Sequence, residues 1–97
     1  MKFPEFEQSL EAAAPSATLH LALQALWWDA KGDWEKAHEC AQARDDEPGM
    51  RVHAYLHRKE GDLSNAGYWY RRVHAATSKS SLGEEWESLA RSLLAPD

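Results

Sequence analysis

Isoleucine is absent from the 97 residues, and valine and threonine occur only twice each. Pleated strands favour β-branched residues, and no segment alternates polar with apolar at strand period, so the sequence speaks against a sheet. Cysteine is scarce as well: Cys40 stands alone. No internal disulfide can form, and a reducing, cytoplasmic setting is expected. The start, Met1-Lys2-Phe3-Pro4-Glu5, lacks the apolar run of a secretion signal, and no stretch nears membrane-spanning length. Positive charge is in deficit, with 11 Lys and Arg against 16 Asp and Glu and a net charge of −5. A nucleic-acid partner, which needs a basic surface for its phosphates, is not expected. P-loop, dinucleotide fingerprint and nucleophile elbow are all missing. His38-Glu39-Cys40 does not extend to a metalloprotease motif because position 42 is Gln42, and the adjacent Glu84 and Glu85 diverge on a helix. The residues therefore favour a binding module over an enzyme, with no cofactor.

Hydrophobic residues make up 43% of the chain and include five Trp and three Tyr, enough for one aromatic-rich core and one domain over residues 1–97. The charge is uneven. Between Arg51 and Arg72 five basic residues (Arg51, Arg58, Lys59, Arg71, Arg72) face Glu60 and Asp62, a local +3, while the remainder carries −8.

The apolar spacing predicts an all-α fold of about six helices. Phe3, Phe6, Leu10 and Ala13 form one helical stripe over about 3–14, closed by Pro15. Ser16 is placed to cap the next helix, which is apolar on several sides from Leu19 to Trp28 and reads as the central one. Gly32 ends it and Asp33 caps a helix to about Arg44. Asp45-Asp46-Glu47 ahead of Pro48 suits the first turn of a helix reaching Glu60. Gly61 and Asp62 repeat the stop and cap, and a helix follows to about Ala76. Ser81 with Glu84 forms a capping box for a last helix over about 82–95, before Pro96.

Gly-Asp-x-x-x-Ala occurs twice, at Gly32–Ala37 and Gly61–Ala66, and Ala25 and Ala54 continue the same 29-residue register upstream. Ala25, Trp28, Gly32, Asp33 and Ala37, repeated as Ala54, His57, Gly61, Asp62 and Ala66 with Tyr70 added, resemble tetratricopeptide or Sel1-type repeats. The resemblance covers about Leu19 to Val73. It implies two helical hairpins, units of about 17–44 and 48–76, flanked by terminal helices. The period falls short of the usual one of about 34, and Ala41 stands where a large aromatic normally packs. The chain is also similar to a group of short bacterial proteins with no assigned activity. They carry A-L-W-W-D-A-K-G-D-W-x-x-A-H, here Ala25 to His38, and V-H-A-Y-L-H-R-x-E-G-D-x-x-N-A-x-Y-W-Y-R-R, here Val52 to Arg72.

Two constellations carry functional expectations. The first is a basic and aromatic face: the repeat likeness lines the inner surface of the second hairpin with Arg51, Tyr55 and Arg58. With Arg71 and Arg72 these suit a protein, an acidic peptide or an anionic small molecule, through forked hydrogen bonds and stacking. The related group has Trp where Arg51 stands. The second is His53 and His57, four apart on one helix face, which with His38 could bind a metal or small ligand. Against this, repeat register puts His57 where Trp28 stands, the place of a core histidine. Of Tyr68-Trp69-Tyr70, Tyr70 is expected inside and Tyr68 or Trp69 against Trp86 or a partner. Self-association as a homodimer through Trp69 or Trp27 is the remaining option.

Overall fold

The computed structural model describes residues 1–95. Six helices follow one another: α1 Phe3–Ser9, α2 Leu21–Ala30, α3 Trp34–Gln42, α4 Glu47–Glu60, α5 Leu63–Arg72 and α6 Leu82–Leu93, with no strand among the described residues. None of them is long and apolar enough to cross a membrane. Pro96 lies outside the described residues.

The duplicated Gly-Asp builds the same turn twice. Gly32 and Gly61 sit at φ +85° and +90°, where a side chain is strained. The next amide, Asp33 or Asp62, reaches back to the carbonyl of Trp28 or His57 at 2.9 Å in each copy. The glycine amides meet the Asp29 and Arg58 carbonyls. Both turns thus close the preceding helix with a Schellman pair. Each aspartate then caps the following helix, Asp33 accepting from the Lys36 amide and Asp62 from that of Asn65. Ala25, Ala37, Ala54 and Ala66 have no exposed surface, so the small residues in register are those where paired helices approach.

Three boundaries differ from the sequence reading, each for a local reason. Helix α1 stops at Ser9, whose hydroxyl donates to the Phe6 carbonyl, and the stripe continues as tighter turns with Leu10, Glu11 and Ala12 each bonded three residues back. Helix α2 begins at Leu21 and is capped by His20, not Ser16. The His20 Nδ1 accepts from the Ala22 amide, and its Nε2 donates to Asp46, the N-cap of α4. Helix α5 ends at Arg72 because His74 adopts φ +56°. The His74 and Ala75 amides bond to the Arg71 and Tyr70 carbonyls, the same closing pair without a glycine. The capping box of α6 forms as expected, Glu84 and Ser81 each bonding the other's amide.

The central helix is α4, which packs on α2, α3, α5 and α6. Val52 to Leu56 and His57 are all buried, a stretch whose histidines and tyrosine hide the apolar pattern. Phe3, Phe6, Leu23, Leu26, Trp27, Val52 and Leu56 form the main core. Trp86 closes it from α6, packing on Phe3 and Phe6 and donating its indole N–H to the Leu26 carbonyl at 2.9 Å.

Candidate metal centre

Helix α4 has a single face for His53 and His57, and the α3–α4 packing brings His38 opposite them. One ring nitrogen from each can be chosen so that all three lie within 4.8 Å of one another. His38 Nε2 and His53 Nε2 are 3.0 Å apart, and the three ring centroids are separated by 4.7 to 5.2 Å. Two imidazole nitrogens so close must share one proton: one ring donates and the other accepts. His57 Nδ1 is bonded to Glu60 Oε2 at 2.6 Å, which leaves its Nε2 for the cluster.

Two indoles hold the rings. Trp34, one turn before His38 on α3, stacks on it at 4.9 Å and donates to the Leu56 carbonyl; Trp69 from α5 stacks on His53 at 4.1 Å. The apolar walls shape the protonation. Burial first, then the neighbouring imidazoles, lower His53 to about 4, and burial with His57 lowers His38 despite the opposing pull of Glu60 and Glu39. At neutral pH these two rings therefore present lone pairs rather than charge. Three imidazoles with one carboxylate behind His57 are the donor set of a borderline transition-metal ion, and the carboxylate–histidine contact orients such a ligand. Cys40 is outside the group, and burial raises its thiol, which disfavours the thiolate a metal would want.

His57 is also placed as a core histidine, its ring buried and hydrogen-bonded by a neighbour. Core placement and ligand placement coincide because the core at this point is made of imidazole and indole. Trp69 meets His53 of α4 and not Trp86, which packs on Phe3 and Phe6 instead, and Tyr68 is exposed.

The basic and aromatic residues are divided between different tasks. Tyr55 is buried and donates to Asp29 Oδ2 at 2.6 Å, while Lys59 meets Asp29 Oδ1 at 2.8 Å. Burial and the Asp29 contact push the Tyr55 hydroxyl well above its ordinary range. Arg58 lies against α6: it bonds Glu85 Oε1 at 2.7 Å and the Ser80 carbonyl, and Tyr70 donates to the other Glu85 oxygen at 2.6 Å. The carboxylate that suits Arg58 is thus present inside the chain. Arg51 pairs with Glu47 on its own helix, and Arg71 is exposed. Arg72 lies near the histidine cluster, 5.1 Å from the Trp69 ring centre and 3.5 Å from Asp45.

Trp34, Glu60 and Trp69 are the parts of the site that sequence reasoning passed over. Signals for the first two existed: Trp34 precedes His38 by one turn and Glu60 follows His57 by three residues, spacings that put side chains together on a helix. No family model matches the chain, and no significant match was found among curated proteins or solved structures.

Proposed function

We propose that this chain is a helical binding module whose ligand is a divalent transition-metal ion held by His38, His53 and His57. The observation that carries the reading is the convergence of three imidazoles, with two Nε2 atoms 3.0 Å apart, between the rings of Trp34 and Trp69. Ligands at about 2.0–2.1 Å from a tetrahedral zinc are about 3.4 Å apart. An ion therefore needs the His38 and His53 nitrogens to part by only a few tenths of an ångström. The ion would take the place of the proton the two rings share, the donor ring keeping its N–H on Nδ1 as the other tautomer, so that both Nε2 atoms offer lone pairs. Nitrogen ligands alone favour zinc, copper, nickel or cobalt over calcium or magnesium, which prefer oxygen.

The helical-repeat likeness supports a binding role of this kind, since the two hairpins supply rigid facing surfaces and the histidines sit where one unit meets the next. The test is elemental analysis of the purified protein followed by zinc titration calorimetry after chelator treatment. One equivalent per chain is expected, with affinity at least about tenfold weaker in His53→Ala and in His38→Ala, since loss of even a partner behind a metal ligand costs about 10–100-fold. A protein that carries no transition metal and takes up none on titration sinks the reading.

A further inference from the structure

A cavity of about 330 Å³ adjoins His53, and its lining includes Gln42, Arg44, Asp45, Trp69 and Arg72. His53 belongs to both places: it is one of the histidine trio and one of the residues lining this cavity. Resting on the metal reading above, we infer that the ion's remaining coordination position takes a small carboxylate anion, which occupies this cavity and is held at its far end by the Arg72 and Arg44 guanidinium groups.

Three lines support it. Charge comes first. Three imidazoles bring no negative charge to a divalent ion, and no fourth His, Cys, Asp or Glu atom joins the trio among the described residues. An exogenous donor completes such a centre, and an anionic one also neutralises it. Second, the two arginines retain donors. Arg72 touches Asp45 only at 3.5 Å, and Asp45 is largely exposed; Arg44 touches Asp46 at 3.5 Å, and Asp46 is already occupied with the Gly49 amide and His20. Arg58, bonded at 2.7 Å inside the fold, shows what a committed arginine looks like in this chain. A guanidinium fork matches a carboxylate in two parallel hydrogen bonds, and Asp45 already brings a group of that kind beside Arg72.

The third line is position and size. Trp69 stacks on His53 at 4.1 Å and has the Arg72 guanidinium 5.1 Å from its ring centre, so one indole fixes the spacing between the imidazole and the arginine. A volume of 330 Å³ is at the low end of small-molecule sites, about 300–1,000 Å³. It suits a mono- or dicarboxylate of a few carbons and is too small for a folded partner's surface. Ala41 and Met50 supply an apolar wall for the carbon skeleton.

The experiment uses the full chain loaded with cobalt(II) in a non-coordinating buffer and follows the visible ligand-field bands while acetate or succinate is added. The expected result is a saturable change in band position and intensity at millimolar anion. In Arg72→Gln the anion affinity is expected to fall about tenfold, the loss of a forked ion pair, with cobalt affinity unchanged. Arg44→Gln serves as a second variant because Arg72 also packs on Trp69. Cobalt uptake with bands indifferent to both anions overturns the inference and leaves the metal reading intact, whereas absence of cobalt uptake removes both. A response to inorganic phosphate with none to acetate or succinate overturns the carboxylate assignment, and an anion affinity equal to the parent's in both arginine variants overturns the cavity.

Discussion

Replacing Arg58 by methionine keeps the aliphatic stem and removes one guanidinium from a buried network. In the native chain Glu85 is about nine-tenths buried and receives Arg58 on one oxygen and the Tyr70 hydroxyl on the other. Without Arg58 a carboxylate charge stays in the interior with a single neutral donor. Removing one partner of a buried ion pair costs about 3–5 kcal/mol. A domain of this length has roughly 5–15 kcal/mol in all, so a large part of the stability goes. At about 4–8 °C per kcal/mol for a domain of this size, the melting temperature should drop by more than ten degrees. Urea unfolding followed by tryptophan fluorescence reads the loss as a lower midpoint at constant slope. The triple change Arg58→Met, Glu85→Leu, Tyr70→Phe should recover most of it, because apolar replacement of a whole buried polar set is often neutral. An Arg58→Met protein within about 1 kcal/mol of the parent, the range of an exposed pair, refutes the assignment of Arg58 to the interior.

The helix ends give a matched pair of expectations. Gly61→Ala meets open space but keeps φ +90°, so its cost is all backbone, about 1–2 kcal/mol, whereas His74→Gly at φ +56° should gain up to about 1 kcal/mol; denaturant midpoints check both signs. In metal-free protein the depressed His53 makes stability depend on pH. Above the unfolded-state value of about 6.5 the ring is neutral in both states and nothing is lost. As pH falls from there toward 4 the unfolded chain takes a proton the folded one refuses, and about 3 kcal/mol disappears, His38 adding to it in the same direction. An equal decline in His53→Gln over that window contradicts the sign and the source.

The helices were legible because their signals are local. Gly-Asp marks two turns, Pro48 and the acidic residues before it mark a start, and Ser81 with Glu84 marks another; all of these act within one turn of chain. His74 was not legible, since nothing in its identity announces a left-handed residue; the strain is accepted to close α5 where no glycine was available. Helix α4 was undervalued as the centre for a related reason. Its buried His53, Tyr55 and His57 read as polar, and only the structure shows that they are satisfied there by His38, Asp29 and Glu60 respectively. At the candidate site, the spacing of His53 and His57 was visible and His38 stood beside them as a candidate, but its approach and the Trp69 wall depend on how α3 and α5 pack against α4, information that no single helix carries. Arg58 shows the converse: read as a residue for a partner's carboxylate, it meets instead the carboxylate of Glu85, 27 residues away in the same chain.

The three histidines do not belong to one hairpin. His38 ends the first unit and His53 and His57 open the second, with the short 43–46 connection between them. For two stacked hairpins of the kind the duplicated register resembles, stability would be close to a sum of each unit's own and the coupling between neighbours. An ion bound by both units contributes to the coupling alone. Occupancy would therefore leave each hairpin's internal strength unchanged and bind their fates together: with the ion, two halves that melt as one; without it, a seam where hydrogen exchange can enter first.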